Sequence, residues 1–132
     1  MTLERQIMSA LPDASVHVTL RLDFVASPEA PRTGRVGPGK IALLEAVGRS
    51  GSISAAARAL GLSYRRAWLM IDEMNHLFRD PVVTAGAGGA KGGQATLTAL
   101  GSKLVDTYRE LEADAEQRAK TRLFALAKEV AR

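Results

Sequence analysis

Residues 51–78 constrain the fold more than any other stretch, because their pattern predicts two helices joined by a tight turn. The stretch reads GSISAAARALGLSYRRAWLMIDEMNHLF. Gly51 suits the left-handed position that follows a helix end, and Ser52 is placed to cap the helix after it. The dipeptide at positions 61–62 forms the turn, and Ser63 is placed to cap the second helix. A helix pair of this kind must bury its apolar faces against a further helix.

A helix predicted over residues 40–50 supplies that further helix. Its Ile41, Leu44 and Val47 lie on one face. The first helix of the pair is rich in alanine on its narrow apolar face, so another helix can approach it closely. The second helix, over residues 63–78, carries apolar residues three and four apart: Ala67, Met70, Ile71, Met74, Leu77 and Phe78. This spacing turns the following residues outward: Arg65, Arg66, Leu69, Asp72 and Glu73.

Two regions predict β-structure. Residues 16–24 alternate between apolar and polar side chains, which is typical of a half-buried strand. This strand is expected to pair either with the wing hairpin, the glycine-rich hairpin predicted below over residues 82–97, or with the same strand of a second subunit. Residues 27–39 are rich in proline and glycine and are predicted as a loop or linker. Short strands over residues 82–84 and 95–97 flank a glycine-rich tip that carries Lys91, a pattern that predicts a wing.

The last third of the chain predicts one long helix that begins after a Thr98 cap. An apolar stripe runs along it: Leu104, Tyr108, Leu111, Ala115, Ala119, Leu123, Leu126 and Val130. A helix of about 45 Å, at 1.5 Å per residue, is longer than a small domain can cover. The stripe is therefore predicted to pack against a second subunit.

Together these elements predict a mainly α fold with a small β-hairpin. We expect a winged helix-turn-helix with an N-terminal strand and a long C-terminal dimerisation helix. The predicted parts are an N-terminal arm and strand over residues 1–35, a DNA-binding domain over 36–98, and the dimerisation helix over 99–132.

The basic charge is concentrated in the predicted DNA-binding domain. The chain carries a net charge of +4. Residues 34–98 hold eight Lys and Arg against four Asp and Glu, whereas the segments on either side are close to neutral. An excess located on one segment is the electrostatic pattern expected of a surface that binds nucleic acid.

The start of the second helix of the pair is the strongest candidate site. A helix N-terminus offers free N–H groups to phosphate, and arginines in its first turns can reach guanine in the major groove. We therefore predict that Arg65 and Arg66 read bases. The predicted backbone contacts are Ser52, Ser54, Ser63, Tyr64 and Lys91. Trp68 is expected to pack in the core or against the wing rather than to contact a base.

Other classes of function find little support in the residues. The chain has no cysteine, and its two histidines have no partner at metal-ligand spacing. The glycine-rich tip lacks the Gly-Lys-Ser/Thr ending of a nucleotide-binding loop. No nucleophile constellation is present, so an enzyme is not expected. No secretory signal or membrane-spanning run is found, and a cytoplasmic protein is the expected default.

Several motifs resemble the N-terminal domain of the molybdate-responsive ModE family, whose wider relatives are the LysR-type winged helices. They are IALLEAV at 41–47, GSISAAA at 51–57, LGLSYRRAW at 60–68, Met74-Asn75, GGAKGG at 88–93 and LTALG at 97–101. The resemblance covers roughly residues 36–112. It implies a homodimer bound to double-stranded DNA, with helix 63–78 in the major groove and the wing of residues 82–97 on the backbone or the minor groove.

The resemblance also bears on ligands. Full-length members sense molybdate in a C-terminal oxyanion-binding domain, for which a chain ending at Arg132 has no room. No cofactor is therefore expected, and molybdate would need a site at the dimer interface or near the N-terminal strand.

Two alternatives to a DNA-binding regulator remain open at this point. One is an oxyanion or small-molecule sensor at the dimer interface. The other is a winged helix that binds proteins, with Tyr64 and Trp68 as anchors.

Overall fold

The computed structural model describes residues 16–86 and 94–130. The described residues divide into two compact units. One unit comprises residues 20–108, and the other joins residues 16–19 to residues 109–130.

Three helices form the centre of the larger unit. Helix α1 spans Pro38–Ser50, α2 spans Ile53–Leu60 and α3 spans Tyr64–Leu77. Helix α1 begins two residues earlier than predicted, because a proline at the first helical position is compatible with helix geometry. The three helices confirm the predicted helix pair and the helix that covers it.

The predicted caps are confirmed at the atomic level. The Ser52 hydroxyl accepts from the backbone N–H of Ala55 at 3.0 Å, and the Ser63 hydroxyl accepts from that of Arg66 at 3.0 Å. Gly51 has a φ of 70°, the left-handed conformation expected after α1. These local bonds set where each helix begins and ends.

The core of this unit is built from the inner faces of the helices. Its largest fully buried side chains are Tyr108, Ile41, Leu43, Leu44, Met74, Val36, Val47 and Val82. The alanines of α2 behave as predicted, since Ala56 and Ala57 are buried and allow close packing. In the described part of the chain no polar or charged residue is buried.

A first hairpin lies ahead of the helices. Strand β1 spans Leu22–Phe24 and pairs antiparallel with β2, which spans Gly34–Val36. The predicted strand over residues 16–24 was therefore too long, although its side chains alternate in exposure as predicted. Its partner is β2, inside the segment predicted as a loop, and not the wing. Three residues are too few to show a period of two, so the prolines and glycines around β2 hid it.

The second hairpin is the wing. Strand β3 spans Val83–Ala85 and pairs antiparallel with β4, which spans Ala95–Leu97. The wing strands are thus confirmed, with β3 displaced by one residue. Lys91 and most of the glycine-rich tip lie outside the described residues.

The C-terminal helix is shorter than predicted. Helix α4 spans Ala99–Arg122 and is followed by a short helix α5 over Phe124–Ala127. The expected cap is present, because the Thr98 hydroxyl accepts from Gly101 N–H at 3.0 Å. Twenty-four residues correspond to roughly 36 Å. Nothing in the local sequence explains why α4 ends at Arg122.

In the smaller unit a polar contact joins residues 17 and 18 to α4. Glu116 on α4 accepts from the backbone N–H of Val18 at 3.2 Å, and its other oxygen lies 2.8 Å from Nδ1 of His17. The Val18 bond and then the His17 bond hold the pKa of Glu116 below its usual value. Because the pKa of Glu116 is lower in the folded state, the ionised carboxylate contributes to the stability of the fold. This stabilisation is fully present above the ordinary glutamate pKa and is lost as the pH falls through the lowered pKa.

Candidate nucleic-acid interface

Helix α3 has one buried and one exposed face. Ala67, Met70, Ile71 and Met74 are buried and pack into the core. At about 100° per residue, Arg65 lies almost opposite the centre of that buried face. Arg66 lies on one shoulder of the exposed face, and Tyr64 and Trp68 lie on the other. The first turns of α3 therefore present all four of these side chains to solvent.

Arg65 and Arg66 are free to bind an anion. Both are exposed, and within residues 16–86 and 94–130 neither has a carboxylate at salt-bridge distance. Two unpaired cations in the first turn oppose the helix dipole, which is a small local cost. A polyanion at this end of the helix would remove that cost.

Ser63 keeps a hydrogen-bond donor after capping. Its oxygen accepts from Arg66 N–H, which leaves the hydroxyl hydrogen available. The first N–H groups of α3 also have no partner inside the helix. The start of α3 can therefore donate to a phosphate oxygen from both side chain and backbone.

Ser52 lies where α2 meets the wing. It caps α2 and forms an isolated antiparallel bridge with Gln94, just before β4. The backbone N–H of Ala95 also donates to Gly51 O at 2.9 Å. The structure thus brings Ser52 next to the base of the wing. Ser54, the second residue of α2, is half-buried.

Asn75 joins α3 to the wing, a role that was not predicted for it. Its Oδ1 accepts from the N–H groups of Val82 at 2.8 Å and Val83 at 3.2 Å. Its Nδ2 donates to Val83 O at 2.9 Å. The one hint in the sequence is an asparagine, a weak helix former, in the last turn of a helix.

The expectation that Trp68 packs in the core was wrong. Trp68 is 46% exposed and Tyr64 is 48% exposed. The reason is angular: Ala67 and Ile71 fill the buried face, and Trp68 follows Ala67 by about 100°. The two aromatic side chains instead extend the exposed surface beside Arg65.

Two findings concern other kinds of site. No cluster of three or more His, Asp or Glu side chains that could hold a metal ion occurs in the part of the chain that the structure describes. In the same residues no helix is both long and apolar enough to cross a lipid bilayer.

The comparison with known families decides what this helix arrangement is. Residues 39–102 match the bacterial regulatory helix-turn-helix proteins of the lysR family. Residues 39–102 are a LysR-family helix-turn-helix domain. This LysR-family domain contains α1, α2, α3, both wing strands and the start of α4. The family consists of DNA-binding regulators and not of enzymes.

Similar proteins occur among molybdenum-related bacterial proteins. The chain is 55% identical over 83 residues to the molybdenum-pterin-binding protein MopB of Rhodobacter capsulatus. The aligned residues make up 62% of this chain and 31% of MopB. It is 49% identical over 73 residues to the molybdenum transport protein ModE of Azotobacter vinelandii, covering 55% of this chain and 27% of that protein.

A third relative is the DNA-binding transcriptional dual regulator ModE of Escherichia coli K12, with 43% identity over 82 residues. That match covers 62% of this chain and 31% of the regulator. The LysR-family domain is thus homologous to the N-terminal part of ModE regulators, as the sequence motifs predicted. The chain matches about a third of the length of these curated relatives.

Proposed function

We propose that the chain is a sequence-specific transcription regulator that inserts the start of α3 into the major groove of DNA. The observation that carries the proposal is that Arg65 and Arg66, at the capped start of α3 in a LysR-family domain, are exposed and have no carboxylate partner among the described residues. A regulator that binds the chromosome of a bacterium acts in the cytoplasm.

The exposed face of α3 suggests different roles for its residues. Arg65, opposite the buried face, would enter the groove most deeply and pair with guanine O6 and N7. Arg66, on the shoulder, would read a neighbouring base from the groove wall. Ser63 and Tyr64 would hold phosphates at the start of α3, and Ser52 and Ser54 would hold phosphates at the start of α2. Lys91, on the wing, would contact the backbone or the minor groove.

Replacement of Arg65 by alanine should weaken binding to the preferred sequence and relax its base preference. A good bidentate arginine–guanine pair contributes about 1–3 kcal/mol of discrimination, which is roughly 5- to 150-fold in affinity. The unaltered chain is first used to select its preferred duplex from a library of random DNA sequences. Fluorescence anisotropy then measures Kd for that duplex and for an unrelated one.

Lys91→Ala serves as the matched comparison. Loss of a phosphate contact should weaken both duplexes alike and reduce the slope of log K against log salt by about 0.9. If Arg65→Ala and Lys91→Ala both left every affinity unchanged, α3 and the wing would not form the DNA-binding surface.

We further propose that the chain acts as a homodimer through residues 99–132. Support comes from exposed apolar side chains in the C-terminal helices and just after them: Leu111, Phe124, Leu126 and Val130. A second copy would bury these side chains and would hold two α3 helices at the spacing of successive major grooves.

Leu111→Lys should shift the chain from dimer to monomer in sedimentation velocity, because it places a charge in the apolar stripe. Gln117→Lys is the control, since it adds the same charge at an exposed position on the opposite side of α4. A monomeric unaltered chain, or a Leu111→Lys variant that stays dimeric, would contradict this interface.

A second candidate function is the sensing of a small anion. A cavity of about 690 Å³ lies between β2, the start of α1 and the end of α3. Arg32, Arg35 and Lys40 line it, against the single carboxylate of Glu73. Lys40 is paired with Glu73 at 3.1 Å and Arg35 lies 3.9 Å from Asp23, so Arg32 is the lining cation that has no carboxylate partner in the described residues. The names of the relatives make molybdate the first anion to try.

Molybdate or tungstate should raise the melting temperature of the chain, and sulfate should raise it less, if this cavity senses an oxyanion. Arg35→Ala should abolish the shift. Arg21→Ala is the control, because Arg21 lies on the same hairpin but outside the cavity. Equal melting temperatures with and without millimolar anion would reject this second function.

A further inference from the structure

We propose that Trp68 is a base-reading residue that contacts the C5-methyl group of a thymine in the major groove. The inference rests on the proposed function, since it assumes that α3 enters the groove. It adds a preference for an A·T pair beside the base that Arg65 reads.

The position of Trp68 on α3 places its ring where it could reach the bases. It is 46% exposed, and in the described part of the chain its ring makes no aromatic or cation contact. Trp68 lies three residues after Arg65 and four after Tyr64, so the three side chains are neighbours on the exposed face of α3. A side chain one turn beyond Arg65 would meet the next base pairs along the groove.

The chemistry of the indole ring favours a contact with thymine. Its broad apolar surface suits the methyl group, which only thymine presents in the major groove. Its N–H is a donor and cannot accept a hydrogen bond. It could therefore donate to thymine O4, but it could also donate to guanine O6 or N7, so the methyl group is what distinguishes A·T from G·C. Trp68 would favour A·T over G·C at its position.

The surrounding charge favours DNA over a protein partner for this exposed ring. Arg65 is its neighbour on the exposed face and Arg66 lies on the opposite shoulder, and neither arginine has a carboxylate partner in the described residues. The nearest acidic side chain on the same face is Asp72, one turn further from the start of α3 and 3.3 Å from His76. DNA is a polyanion that also presents apolar thymine methyl groups, so it matches a surface that combines exposed arginines with an apolar ring.

The experiment replaces thymine by uracil, which removes the methyl group and leaves O4 and base pairing unchanged. The duplex is the one selected by the unaltered chain, and each thymine is replaced in turn. We expect one or two positions at which the unaltered chain binds about fourfold more weakly, the effect of one methyl-sized group. Trp68→Ala should bind thymine and uracil equally at those positions, and Trp68→Phe should keep the difference.

The outcomes separate the two proposals. If no duplex is enriched, the proposed function fails, and this inference fails with it. If a duplex is enriched and Arg65→Ala weakens it, but no uracil position distinguishes Trp68→Ala from the unaltered chain, only the inference is overturned. Unchanged DNA affinity in Trp68→Ala would also overturn it and would leave the ring for a protein partner. Circular dichroism of each variant checks that the fold is retained.

Discussion

Replacement of Asn75 by alanine is expected to lower the free energy of unfolding by about 2–4 kcal/mol. The variant loses three hydrogen bonds to the backbone of Val82 and Val83. Both valines are buried, so water cannot readily replace the lost partners. Urea unfolding followed by circular dichroism measures the change. DNA affinity should fall as well, because the base of the wing is no longer held against α3.

Asn75→Asp is the matched control for this prediction. It keeps an oxygen to accept from the two valine N–H groups, and it replaces the donor to Val83 O by a second carboxylate oxygen. Its loss of stability should therefore be smaller than that of Asn75→Ala. Equal unfolding midpoints for Asn75→Ala and the unaltered chain would mean that the wing is held in place by packing alone.

Replacement of Gly101 by alanine should destabilise the fold by roughly 2 kcal/mol, although alanine is the better helix former. A Cβ atom at this position would clash with Val82 O and would lie 2.6 Å from Cδ1 of Leu97. Backbone cannot move aside as a flexible side chain can, and Val82 O already accepts from Thr98 N–H at 2.9 Å. The start of α4 must therefore shift away from the wing strands.

Gly39→Ala tests the opposite expectation in the same chain. Gly39 lies in the first turn of α1, and a Cβ there would meet only Cε of Met70 at 3.8 Å, an ordinary contact. This variant should be neutral or more stable by up to about 1 kcal/mol. If chemical denaturation shows the same change for both variants, the contact at Gly101 is not the cause.

The caps and turns of the helix pair could be predicted because each depends on a few adjacent residues. Each capping hydroxyl accepts from the backbone N–H group three residues later in the chain, as seen for Ser52, Ser63 and Thr98. Both partners of such a bond can be identified from four consecutive residues. Gly51 and Gly61 likewise meet a local need for a positive φ. The exposure of Arg65 and Arg66 followed from the period of α3 alone.

The two misses have different causes. Strand β2 is recognisable only once Gly34 is placed opposite Phe24, ten residues earlier, and the segment between them shows no hairpin signal. The exposure of Trp68 was missed because its apolar character was weighed above its angular position. Its alignment with Arg65, rather than with Ala67, decides which surface it joins.

The sequence by itself determined the helix pair, its boundaries and the basic residues at the start of α3, because capping bonds and helical periodicity act over four residues or fewer. Only the tertiary structure decided which strand pairs with β1 and how Asn75 holds the wing. These features depend on contacts between segments far apart in the chain. Such contacts become defined only when the packed helices leave particular surfaces uncovered.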